Sequence, residues 1–135
     1  MVKLDEKRKQ ALHTYVAKGL FACKRARPDI QVPIAFLSAR VRDPDEDDWN
    51  KLIRMMNYLK GTQDLVLTLD AMNFNIVKWF IDTSHAVHND MRGHTGITMK
   101  IGKGHPVSKS TKQKVNTRSS SETELVGTDD GMSEI

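Results

Sequence analysis

The sequence predicts an α+β chain: an N-terminal helical segment over residues 1–61, then a mainly antiparallel sheet and a C-terminal helix over residues 62–135. Three observations carry this expectation. Before Gly61 the apolar residues recur at helical spacing. After it, short β-rich runs take over, bounded by glycine and asparagine. At Ser119 a capping signature opens one last helix.

The first helix is read from Ala11, Leu12, Tyr15, Val16 and Leu20, which share one face, with Gly19 a mild weakness in it. Pro28 and Asp29 suit the first turn of a second helix, where a missing N–H is harmless and a carboxylate meets the positive end of the dipole. Ile30, Ile34, Leu37 and Val41 form its stripe, and Pro33 lies near enough to the start to be tolerated. "DPDEDD", residues 43–48, reads as a loop passing into an acidic first turn. Trp49, Leu52, Ile53, Met56 and Leu59 form the third stripe, with Gly61 as its stop. All three stripes are expected to be core.

Strands are expected at 65–69 ("LVLTL"), 76–83, 95–102 and 105–110, the last two joined by a Gly-Lys-Gly turn. The helix is expected to start near Ser120. Ser119 and Glu122 make a capping box, which gives Glu122 a local structural task and leaves Glu124 without one.

At 135 residues the chain has room for one core or two small ones. A single cysteine, Cys23, excludes an intrachain disulfide and favours a reducing, intracellular setting. No apolar run approaches membrane-spanning length, and the N-terminus is charged where a signal peptide is apolar. The net charge of +4 is unevenly spread: from Arg92 to Arg118 there are seven basic residues and no acidic one. Such a block is either a solvated face or a track for phosphates. Arg92, Lys109, Lys112, Lys114 and Arg118 are the candidate nucleic-acid contacts, with the serines and threonine of "SKSTKQK" able to meet sugar and phosphate oxygens. His85, His88 and His94 have no nearby cysteine and no spacing that fits a closed tetrahedral zinc site.

"RARPDI", "AFLSARV", "DDWNKLIRMMNYLKGT", "FIDTSHA", "HTGITMKIGKG", "SKSTKQK" and "SSSETEL" occur in that order. Together they resemble the polyprotein of Ty1/copia-type LTR retrotransposons. The resemblance implies that residues 1–61 close a reverse transcriptase and that residues 62–135 open a ribonuclease H-like domain. It implies action on RNA–DNA hybrids beside the rest of the polyprotein, with Mg²⁺ as cofactor.

Two ions about 3.5–4 Å apart then clamp the attacking water and the leaving oxygen, and hard Mg²⁺ calls for carboxylate ligands. By resemblance Asp82, at the end of an apolar run, is the metal-bridging catalytic aspartate, and Glu124 is the next ligand. Asp129 and Asp130 fall out of phase with Glu124 on a helix and read as a solvated face. The chain departs from the family pattern twice. It lacks the paired aspartates of a polymerase turn, and the later ribonuclease H strand and aspartates do not follow Glu124. The expectation is therefore a fragment inactive by itself, the alternative being a non-catalytic nucleic-acid-binding or scaffold remnant.

Overall fold

The computed structural model describes residues 2–70 and 75–133, and the chain divides into two compact units, Met1–Leu67 and Thr68–Ile135. The first is helical. Helix α1 (Glu6–Arg25) leads through a short 3₁₀ turn (Pro28–Ile30) into α2 (Gln31–Ser38), and α3 (Glu46–Gly61) follows. Asp5 caps α1 by accepting the Arg8 N–H at 2.7 Å. Asp45 caps α3, in a reciprocal box with Asp48.

The core of this unit is Leu12, Val16, Cys23, Ile30, Ile34, Leu37, Leu52 and Met55. Each large aliphatic side chain buried there contributes about 1.5–3 kcal/mol. The predicted stripes are right in outline and wrong at their edges. Tyr15 and Ile53 are both 43% exposed, while Met55 turns inward in place of Ile53. Gly19 is no weakness: a Cβ there would collide with Ile34, so the glycine lets α2 seat closely on α1. Gly61 ends α3 as its last helical residue, without the left-handed conformation that a glycine stop uses, and Thr62 is the cap.

In the second unit, β1 (Val77–Ser84), β2 (His94–Ile101) and β3 (Gly104–Lys112) form an antiparallel meander in the order β1-β2-β3. Helix α4 (Ser120–Met132) packs on β1 and β2. Thr123, Gly127 and Gly131, one turn apart, are its buried face. A Cβ at Gly127 would strike Thr83 and one at Gly131 would strike Ile81, so α4 runs antiparallel to β1 with its backbone against the sheet.

The strand expected at 65–69 does not form. Those residues carry no regular structure, and Leu65, Val66 and Leu69 are half exposed or more. β-Propensity alone makes no strand where the backbone finds no ladder partner. Residues 71–74, within the expected connection "DAMNFN", lie outside the described residues.

Candidate functional site

Asp82 stands near the end of β1, paired in register with Gly96. Side chains alternate along a strand, and cross-strand partners share a face. Ile81 and Thr83, opposite Ile97 and Thr95, meet α4. Asp82 therefore belongs to the other face, with Lys78 and Phe80, and is exposed. Glu124 lies one residue beyond buried Thr123 in the second turn of α4, also exposed. Each carboxylate is on a rigid element and open to solvent. Among the described residues, however, no three His, Cys, Asp or Glu side chains converge as a metal site.

The residues between them build a polar joint. His85 Nδ1 lies 3.0 Å from the Thr123 hydroxyl and 3.3 Å from that of Thr117, and the two hydroxyls are 2.6 Å apart. Thr123 also donates to the Ser119 carbonyl at 2.9 Å. Gln113, fully buried, donates to Thr95 Oγ1 and to the Thr123 carbonyl, both at 3.0 Å, while its own Oε1 has no partner among the described residues. In "SKSTKQK" the glutamine is thus a structural bracket, and in "SSSETEL" the threonine is the pivot. Sequence reasoning passed over both, since a Gln or Thr among polar neighbours gives no sign of burial.

A second network lies at the same end of β2, on the opposite face of the sheet. His88 Nε2 is 3.0 Å from His94 Nδ1, and His94 Nε2 is 2.6 Å from Ser110 Oγ. With both rings neutral the two bonds run in one direction: either His88 donates to His94 Nδ1 and His94 Nε2–H to Ser110, or the Ser110 hydroxyl donates to His94 Nε2 and His94 Nδ1–H to His88. Burial holds both histidines below the usual range, and the neighbouring ring adds to the effect at His94.

The predicted cationic residues do not form one track. Lys112 and Arg92 both pair with Asp90. The Lys112 ammonium is the main cause holding that carboxyl below its ordinary range. Lys109 pairs in register with Ile97 and so falls on the opposite face from Lys112, which pairs with His94. Lys114 is exposed in the bend after β3. Arg118 precedes the α4 cap, and its backbone N–H donates to the Glu122 carboxylate at 2.7 Å. Glu122 thus serves the cap as expected, though it reaches Arg118 rather than Ser119; its own N–H donates to Ser119 Oγ at 3.2 Å. Among the described residues no helix is long and apolar enough to cross a membrane.

Known proteins resemble this chain in sequence. It is 29% identical over 98 residues to the putative transposon Ty5-1 protein of Saccharomyces cerevisiae, an overlap that takes in 73% of this chain and 32% of that protein. It is 34% identical over 105 residues to the retrovirus-related Pol polyprotein from transposon RE2 of Arabidopsis thaliana, covering 73% of this chain and 7% of the polyprotein. The chain thus spans about a third of the first relative and under a tenth of the second. No family model matches it, and no solved structure does. Over 73% of its length the chain is a relative of retrotransposon polyproteins, corresponding to a portion of one.

Proposed function

We propose that the helical unit closes a Ty1/copia-type reverse transcriptase and that the second unit opens a ribonuclease H domain acting on RNA–DNA hybrids. One observation carries this reading: a meander of three antiparallel strands ends in a helix that runs back along the first. Asp82 near the end of β1 and Glu124 early in α4 support the reading by their places in that order. Both offer the oxygen ligands that Mg²⁺ prefers.

The fit to a metal pair is incomplete. Two divalent ions held close together repel each other and need several carboxylates to offset that repulsion. Two separated carboxylates fall short, so no catalytic step is assigned to these residues alone. The chain of 135 residues should bind Mg²⁺ no tighter than about millimolar and should not cleave an RNA–DNA hybrid. A longer chain that adds the next strand and helices of the polyprotein should cleave it, and Asp82→Asn or Glu124→Gln should abolish that activity. Cleavage by the longer chain that survives Asp82→Asn would refute the assignment.

A second reading, a non-catalytic nucleic-acid-binding remnant, is favoured by the sheet geometry. Asp82 lies on the face away from the packing residues of α4. A longer chain that binds hybrid without cutting it would select this reading.

A further inference from the structure

Lys78 and Lys100 are direct cross-strand partners between β1 and β2. Their Cβ atoms are thus about 4.5–5.5 Å apart on one face, an arrangement that costs stability when both residues are cations. Neither lysine forms a salt bridge among the described residues, and the acidic residue at the nearby hairpin, Asp70, pairs with Lys103. Between the two lysines lies a depression of about 210 Å³, floored by Ile76 and Gly102.

Two residues along β1 on the same face, Phe80 is 53% exposed. Its ring is tilted toward His105, with centroids 6.5 Å apart. The register shifts by one residue between the Met99–Val107 and Ile101–Gly104 pairs, with the extra residue on β3, and His105 meets Phe80 there. Strand alternation continues the face through Asp82 on β1 and Ser108 and Ser110 on β3, and within this unit α4 covers only the reverse side.

We propose that this open face is a docking surface for single-stranded nucleic acid, with a phosphate held between Lys78 and Lys100 and a base stacked on Phe80. The like-charged pair is the reason for the anion: a bound phosphate turns a repulsion into two charge-assisted contacts. Phe80 is the reason for a nucleic acid rather than another polyanion. An exposed aromatic ring beside cations is how sequence-tolerant single-strand binders hold successive bases. The proposal rests on the nucleic-acid part of the reading above and on none of its carboxylate chemistry. Lys100 belongs to the Arg92–Arg118 block but is not one of its named candidates, and Lys78 and Phe80 lie outside the block.

The test is fluorescence anisotropy of a labelled oligothymidylate with the full chain over a salt series in EDTA, so that metal binding plays no part. Single-strand binding loses about 0.7 of log–log slope per phosphate contact, so replacing both lysines (Lys78→Gln with Lys100→Gln) should flatten the slope by about 1.4. Phe80→Leu should weaken binding by about five- to a hundredfold and leave the slope unchanged.

Melting at low salt controls for folding: Lys78→Gln alone should raise the Tm of the free chain, because it removes the repulsion. An unchanged slope in the double variant would overturn the site. Lysine-dependent binding that Phe80→Leu does not weaken, or that polyaspartate matches, would overturn the nucleic-acid occupant. Inorganic pyrophosphate competing as well as the oligonucleotide would reduce the site to a free-phosphate pocket and overturn the strand. Because the binding is metal-free, it can stand while hybrid cleavage by the longer chain fails, and the reverse also holds.

Discussion

Arg27 and Asp29 of "RARPDI" meet Tyr58 and Thr62 of "NYLKGT". The Arg27 guanidinium donates to Asp29, to the Thr62 carbonyl at 3.0 Å and to its hydroxyl at 2.7 Å, and the Tyr58 hydroxyl donates to Asp29 at 2.8 Å. Arg40 of "AFLSARV" reaches Asp45 and Asp48, the two capping residues of α3, at 2.9 and 3.0 Å. Phrases that look independent along the chain are therefore paired in space, and each pair fastens one end of α3. Asp48 is almost wholly buried and serves both Arg40 and the Asp45 N–H. Asp48→Ala should cost roughly 2–4 kcal/mol, combining a lost cap with an arginine left facing one carboxylate fewer. Denaturant unfolding would measure it, and a cost under half a kcal/mol would mean that the cluster is ornamental. Two glycines give a contrast of sign. Gly127→Ala should destabilise by about 1–3 kcal/mol, because its Cβ meets the stiff Thr83 side chain. Gly61→Ala, in open space at an ordinary helical φ, should stabilise by roughly 0.4–1 kcal/mol.

At the scale of elements, helices and hairpin strands were legible because their signals are local. The 3.6-residue stripes, the Pro28 start and the Ser119 cap each act within a few residues. The misses required partners remote in sequence. "LVLTL" has the composition of a strand but no ladder to join, and Phe80 faces outward although it stands in an apolar run. The candidate site divides the same way: the resemblance singles out Asp82 and Glu124, whereas the faces they occupy depend on strand register and on where α4 lands.

The His88–His94 pair makes the dependence on tertiary contact testable. Both folded pKa values lie below the ordinary 6.5 because the rings are buried. Protons that the unfolded chain accepts below about pH 6.5 are thus refused by the folded chain. The resulting stability is complete above that pH and declines as pH falls through 6.5 and the lower folded values. Amide exchange at β2 followed from pH 7.5 to 5 should show protection falling. Replacing both histidines with glutamine should flatten the decline, and an identical decline in that variant would assign the effect to other groups.

For the whole molecule the question is how a net charge of +4 is presented to a polyanion. Between Arg92 and Arg118 the sequence holds no acid, yet the loop before β2 supplies one just outside the block. Asp90 engages both Arg92 and Lys112. Lys109 and Lys112 emerge on opposite faces of the sheet, so one rigid duplex cannot meet both while lying flat against it. Three lysines acting together would lower the log–log salt slope for duplex DNA by about 2.7. With Lys112 already paired and Lys109 turned away, replacing Lys109, Lys112 and Lys114 by alanine should lower it by about one to two. Asp90→Asn should act in the opposite direction. Freed of its partner, Lys112 becomes available to phosphate, so duplex affinity should rise several-fold and the slope should steepen by about one. Filter binding or anisotropy across a salt series would measure both. If Asp90→Asn weakens binding instead, the carboxylate is holding the loop and Lys112 in their binding conformation, and the block acts as a folded surface rather than as a sum of charges.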